Sequence, residues 1–360
     1  MPEHYITAGG KRLRCGRTTG TCAAMAAAGA VRLLLTGRAP DLISLNTPRD
    51  WMVEAPLLDC VTDGETAACS VEKDGGDDVD ATHGLPIRAT VRRRAEGGTA
   101  ILGGPGVGVG RVTKPGLDQP VGAAAINSVP RRMIARAAEE EAAALGYAGG
   151  LEITISVPGG EEAARRTFNP QLGVEGGISI LGTSGIVEPM SAQALVETIA
   201  LELRQAAAGG ADRVVLTPGN YGADFLAESG LIPSDIRIVK CSNFIGEALD
   251  RAAEAGIRQL ILVGHLGKLV KVAGGVMNTH SRWADCRMEI LCAHAALCGA
   301  GQETARALMG SATTDAGLDI LAEAGLLDRT MDSLHTWSGG RGRPAAAAAY
   351  CSPIPGACWG

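Results

Sequence analysis

The chain has 360 residues, a formal net charge of −6, 46% hydrophobic and 20% charged residues, 50 glycines and only 3% aromatics. That length suggests about two domains at ~150 residues each, and the apolar fraction suffices for real cores. The acidic balance and the scarcity of stacking platforms argue against nucleic acid as a partner, so any anionic ligand must be met by a local cluster of donors.

The opening segment MPEHYITAGGKRLRC carries no apolar stretch of a secretory leader, and no run approaches the ~18 apolar residues of a membrane span. A cytoplasmic protein with no membrane partner is therefore expected. Ten cysteines include no C-x-x-C pair, which reads as reduced structural thiols.

A first helix is expected over TTGTCAAMAAAGAVRLLLTG, with Thr18 or Thr19 as its cap and Gly37 as its close. Strand candidates follow in DLISLN, WMVEAPLL, ETAACSVEK and LPIRATVRR, separated by Gly, Asp and Pro clusters. A second long helix, PRRMIARAAEEEAAALG, has Pro130 in its first turn. Residues 1–150 thus read as an N-terminal α+β layered domain. Over 151–300 the rhythm becomes alternation. LEITISVP, GGISILG, DRVVLTPG, IRIVKCS and RQLILVGH are short β-branched runs separated by helical segments. This predicts a C-terminal α/β domain with a doubly wound, mostly parallel sheet. Residues 301–337 read as a helical extension, and the Gly-, Pro- and Ala-rich tail 338–360 as disordered.

Ligands of open parallel sheets bind beyond the carboxyl ends of the strands. Four such ends are expected at GTSG (182–185), TPGNYG (217–222), KCSNFIG (240–246) and GHLGK (264–268), each pairing glycine with small polar groups. Gly182, Thr183, Ser184, Thr217, Gly219, Asn220, Ser242 and Asn243 are the crevice candidates, with plain turn chemistry as the alternative. The stretch GHLGKLVKVAGGVMNTHSR extends that edge with His265, Lys268, Lys271, Asn278, His280 and Arg282. Recognition of carboxylates is the functional reading, against a solvated charged loop.

In KDGGDDVDATHG, Asp77, Asp78 and His83 are catalytic or cation-facing candidates; an acidic surface turn is the alternative, and no glutamate closes a calcium loop. GGPGVGVGRVTKPG runs into TKPG rather than a helix, which argues against a dinucleotide fingerprint. It either brings Arg111 and Lys114 to a ligand or forms a plain hairpin. RTTGT places Thr18 and Thr19 as an anion cradle or as simple caps. No Walker motif, Ser-His-Asp order or zinc signature is present, so no metal site is assigned.

The strings GRTTGTCAAMAA, KDGGDDVDATHG, GVGRVTKPGL, AINSVPRRMI, TFNPQLGVEGGISILGTSGIVEPMS, TPGNYG, VKCSNFIGEALD and GHLGKLVKVAGGVMNTHSRWADCRMEI occur in this order over roughly residues 12–300. Together they resemble the cobalt-precorrin-5B C(1)-methyltransferase family of anaerobic cobalamin biosynthesis. Gly75 and Leu266 depart from the alanine and isoleucine usual in that pattern, and the tail matches nothing in it. The resemblance implies S-adenosylmethionine as methyl donor and cobalt-precorrin-5B as the small-molecule substrate, methylated at ring carbon 1 to give cobalt-precorrin-6A, with cobalt present only in the substrate.

The expected division of labour follows. The adenosyl group lies over GTSG, TPGNYG and SNFIG. Thr18, Thr19, Arg111, Lys114, Lys268, Lys271, Asn278, His280 and Arg282 serve the macrocycle's carboxylates. Asp77 or Asp78 faces the sulfonium, and His83 or His265 relays a proton. A non-catalytic carrier of cobalt tetrapyrroles is the alternative function, and homo-oligomerisation is left open.

Overall fold

A computed structural model describes residues 3–8, 10–167, 169–170, 172–229, 236–341, 346–351 and 358–359. The chain is a mixed α/β protein that divides into two compact units, Met1–Ser191 and Ala192–Gly360.

The first unit opens with a hairpin of β1 (Tyr5–Ala8) and β2 (Lys11–Arg14), followed by α1 (Thr19–Thr36). Thr18 caps α1 by accepting from the Thr21 amide, and Gly37 closes it in the left-handed conformation at φ 72°. A second hairpin pairs β3 (Leu42–Asn46) with β4 (Met52–Pro56). The main sheet contains β5 (Leu58–Thr62), β6 (Thr66–Glu72), β7 (Pro86–Arg94) and β8 (Thr99–Leu102). It is completed, after α2 (Ser128–Ala144), by β9 (Gly150–Ser156), in the order β5-β6-β7-β9-β8. In β7 and β9 apolar residues alternate with polar ones, so one face of the sheet is buried under α1 and α2.

The expected boundary at residue 150 is displaced. β9, assigned from its sequence to the second domain, pairs antiparallel with β7 over its whole length and parallel with β8 from Leu151 to Thr154. The run GGISILG likewise stays in the first unit, where it makes only isolated bridges, Ile178 with Val109 and Ile180 with Ile126. Among the described residues only α1 is long and apolar enough to cross a membrane by length and composition, and 83% of that helix is buried within the protein.

The second unit begins with α3 (Ala192–Ala208) and continues as β10 (Arg213–Thr217), α4 (Asn220–Ser229), β11 (Arg237–Lys240), α5 (Ile245–Glu254), β12 (Gln259–His265) and α6 (Leu266–Ala273). β10 lies between β11 and β12 and runs parallel to both. Alternate residues of these strands feed different cores. Val214, Leu216, Leu260 and Leu262 join Ile199, Leu203 and Ala248, whereas Val215 and Val263 join Leu226 of α4. Helices therefore cover both faces, which explains why the strands read as continuous apolar runs.

The helical extension comprises α7 (Arg287–Leu297), α8 (Gln302–Met309), α9 (Thr314–Glu323) and α10 (Leu327–Arg341). Its Leu291, Leu308, Leu318 and Leu334 belong to the same core as the sheet, so it is part of the second unit. The tail, read as disordered, supplies β13 (Ala346–Cys351), parallel to β12, and β14 (Cys358–Trp359); residues 342–345, 352–357 and 360 lie outside the described residues.

Candidate active site

Because β10, β11 and β12 are parallel, their carboxyl ends share one edge, and α4 and α6 start almost directly from it. Thr217 ends β10 fully buried, and its Oγ1 has no hydrogen-bond partner among the described residues. Its carbonyl accepts from the Cys241 amide at 2.9 Å, which ties the ends of β10 and β11 together. Ser242 follows with φ 53°, a left-handed conformation that costs a non-glycine residue on the order of 1–3 kcal/mol.

Two lysines frame this edge. Lys240 Nζ donates to Asn220 Oδ1 at 3.1 Å, and Lys268 Nζ donates to the Pro218 carbonyl at 2.6 Å. Burial lowers the Lys268 pKa from its ordinary value, and the nearby Lys271 charge pushes the same way. Burial also pushes the Cys241 thiol up to about 12, so it stays protonated.

His265 caps α6. Its Nδ1 accepts the Gly267 amide at 3.0 Å, which leaves the proton of the neutral imidazole on Nε2. Nε2 lies 3.5 Å from Oδ1 of Asp315 in the first turn of α9, and that oxygen is buried without a hydrogen-bond partner among the described residues. The Tyr221 ring is tilted against the imidazole, with centroids 5.6 Å apart.

The loop after α6 is drawn onto the same edge. Thr279 N–H donates to Asn243 O at 3.0 Å, Thr279 Oγ1 donates to Asn243 Oδ1 at 3.2 Å, and Asn278 bridges Phe244. Lys271, expected to meet substrate carboxylates, instead points inward. It is 3% exposed and donates to the Thr279 and Ala284 carbonyls at 3.2 and 2.8 Å, so it holds the loop. His280 and Arg282 are exposed; the His280 amide donates to Asn278 Oδ1, and His280 Nδ1 accepts the Arg282 amide. The Arg282 guanidinium makes no hydrogen bond among the described residues.

Thr217, Gly219, Asn220, Ser242, Asn243, His265, Lys268 and Asn278 are thus brought together. Gly182, Thr183 and Ser184 are not, because they belong to the first unit. There Gly182 presses on the Thr18 side chain, and Ser184 Oγ donates to the Ile186 carbonyl.

The remaining first-unit candidates are engaged in building the fold. Thr18 and Thr19 are buried. Thr18 caps α1, and Thr19 Oγ1 donates to the Ser179 and Leu181 carbonyls and accepts the Leu181 amide, so capping displaces the anion cradle. Asp77 Oδ2 accepts the Arg14 amide at 2.7 Å, and His83 Nδ1 accepts the Gly75 amide at 3.0 Å. Asp78 contributes its backbone amide to Gly75 O.

The most tightly held carboxylates of that loop are others. Asp74 takes both ends of the Arg14 guanidinium at 2.6 and 2.8 Å, which holds its pKa at about 2. Asp80 accepts from Lys73, a lysine only 2% exposed, at 2.6 Å. Among the described residues no group of three or more His, Cys, Asp or Glu side chains is arranged to hold a metal ion. Arg111 is exposed and donates to Gly122 O, and the stem of Lys114 lies against Gly173.

Asp315 was missed because nothing local marks it in a plain amphipathic helix. Lys240 and Tyr221 sit inside turns already singled out and are legible as neighbours of Gly219 and Ser242.

The CbiD family model matches residues 6–189, and the model of the CbiD C-terminal domain matches residues 278–336. The cobalt-precorrin-5B C(1)-methyltransferase of Ruminiclostridium cellulolyticum is 50% identical over 91% of this chain and 84% of its own. That of a Thermoanaerobacter species is 48% identical over 90% and 87%. A crystal structure of the cobalamin biosynthesis protein (cbiD) from Archaeoglobus fulgidus is 27% identical, covers 77% of this chain and 86% of its own, and has a TM-score of 0.40. With one family model covering more than half of the residues and relatives of such identity along nearly the whole length, the chain belongs to the CbiD family.

Proposed function

We propose that the chain is a cobalt-precorrin-5B C(1)-methyltransferase that uses S-adenosylmethionine to methylate ring carbon 1 and gives cobalt-precorrin-6A. The carrying observation is that relatives 43–50% identical over about nine-tenths of this chain bear that enzyme's name; it favours the enzyme over the carrier.

The second unit is read as a doubly wound domain whose carboxyl edge receives the methyl donor. The fit rests on three features. Thr217 Oγ1 is a buried hydroxyl without a partner among the described residues. Gly219 offers bare backbone, since among the described residues a Cβ there would meet only Lys268 Nζ at 3.9 Å. The amides of the first turns of α4 and α6 supply donors for a carboxylate. Thr217, Gly219, Asn220, Ser242 and Asn243 would hold the donor, which supplies an activated methyl group on its sulfonium.

Lys268 stands in this neighbourhood, with its Nζ held by the Pro218 carbonyl beside Gly219. Its ammonium, Arg282 and His280 serve as partners for substrate carboxylates. His265, oriented by Gly267 and Asp315, holds or moves a proton at Nε2. The protein otherwise acts by orientation, which supplies up to ~7–11 kcal/mol when reacting groups are aligned. The substrate is a small molecule, and the working place is read as the cytoplasm.

Incubation with cobalt-precorrin-5B and methyl-labelled S-adenosylmethionine tests the proposal. Label on ring carbon 1 is the expected result. Tight tetrapyrrole binding without label transfer would reject it.

A further inference from the structure

One face of α2 is spent on the core of the first unit, through Ile134, Ala138 and Ala142. Another is not. Val129, Arg132, Met133, Arg136 and Ala137, at helical spacing, line a cavity of ≈400 Å³ opposite Leu45. That volume falls in the range of ~300–1,000 Å³ typical of small-molecule sites.

The wall is apolar where it is deepest, since Met133 is 8% and Ala137 5% exposed. Arg136 is engaged with Glu140, Nε to Oε1 at 2.7 Å. Arg132 is different. It is exposed, and its guanidinium makes no hydrogen bond or ion pair among the described residues. The carboxylate whose field it feels, Asp118, already accepts from Gln119 and Ser128. An apolar wall with an unspent guanidinium at its rim suits a flat apolar body that carries carboxylate arms.

We propose that this cavity is a substrate subsite of the first unit. The rim of a tetrapyrrole packs on Met133, Ala137 and Leu45, and one of its carboxylate arms pairs with Arg132. The chemical class of the ligand rests on the function proposed above; the cavity and its free cation do not.

The test titrates the full-length protein with cobyrinic acid, a corrin whose arms end in carboxylates, and with its fully esterified form, following the ring's visible absorption. Wild type is expected to prefer the acid. Arg132→Gln is expected to lose that preference, with acid binding weakened roughly ten- to a hundredfold and ester binding unaltered. Arg132→Lys should recover part of it.

Equal acid binding by wild type and Arg132→Gln overturns the inference, while label transfer by wild type leaves the functional proposal standing. Wild type that binds neither corrin and transfers no label overturns both. If Arg132→Gln melts early, amide hydrogen exchange of the unmodified protein decides. Slower exchange over residues 128–140 with the acid but not the ester supports the subsite, and unchanged exchange rejects it.

Discussion

His265 and Asp315 face each other in the second unit, Nε2 to Oδ1 at 3.5 Å, while Nδ1 of the same ring is committed to the Gly267 amide. The imidazole is therefore fixed at one nitrogen and directed at the other, the arrangement a positioned proton carrier requires.

Removing the ring should lower kcat. His265→Ala is expected to slow single-turnover methyl transfer about 10²-fold, the lower end for a general acid–base group. Asp315→Asn keeps the shape of its side chain and should slow transfer less, with KM unmoved. Full turnover in His265→Ala would remove the imidazole from the chemistry.

Lys271 and Arg282 should separate stability from binding. Lys271→Met leaves the Thr279 and Ala284 carbonyls unpaired, and an orphaned buried acceptor costs about 1–3 kcal/mol. A clear drop in Tm is expected. Arg282→Gln should leave Tm alone and raise KM for the tetrapyrrole about tenfold, the loss of one charge-assisted hydrogen bond. An unaltered KM would take Arg282 out of substrate binding.

Gly219 offers a way to block the crevice without disturbing the fold. Among the described residues a Cβ there meets only Lys268 Nζ, at 3.9 Å, so Gly219→Val should fold with wild-type Tm. Calorimetry should then show S-adenosylmethionine binding weakened at least about tenfold, the effect of 1.4 kcal/mol. Wild-type affinity in this variant would move the donor elsewhere.

The Arg14–Asp74 pair should appear in the acid limb of stability. Asp74 titrates at about 2 in the folded chain against about 3.9 when unfolded. Its pKa is depressed by folding, so its contribution is complete above pH ~4 and is lost as pH falls toward ~2. After allowance for screening at a partly exposed pair, the loss is about 1–2 kcal/mol. Urea titrations of wild type and Asp74→Asn between those pH values should converge as the pH falls; curves that stay parallel would contradict the assignment.

What the sequence revealed was mostly periodic. Alternation of Val214 and Leu216 with Val215 marks a strand buried on both faces, and Thr18 and Gly37 bracket α1 as their chemistry requires. Where local pattern and partner choice part company, the reading failed. GGISILG has the composition of a parallel strand, yet Gly176 and Gly182 at positive φ break the ladder to isolated bridges and keep the run in the first unit. Lys271 was legible as a cation but not as a buried one, because its partners belong to a loop whose path no local rule fixes. The same holds for Asp315, whose meaning comes entirely from a histidine on another element.

The smallness of α1 sets how freely the first unit can vary. Its inner surface is largely Ala, Gly, Cys and Thr, and a single methyl at Gly20 would come within 2.8 Å of Pro130 Cγ on α2. Enlarging such a contact typically costs about 1–3 kcal/mol. Libraries built on this scaffold should therefore leave residues 19–31 alone.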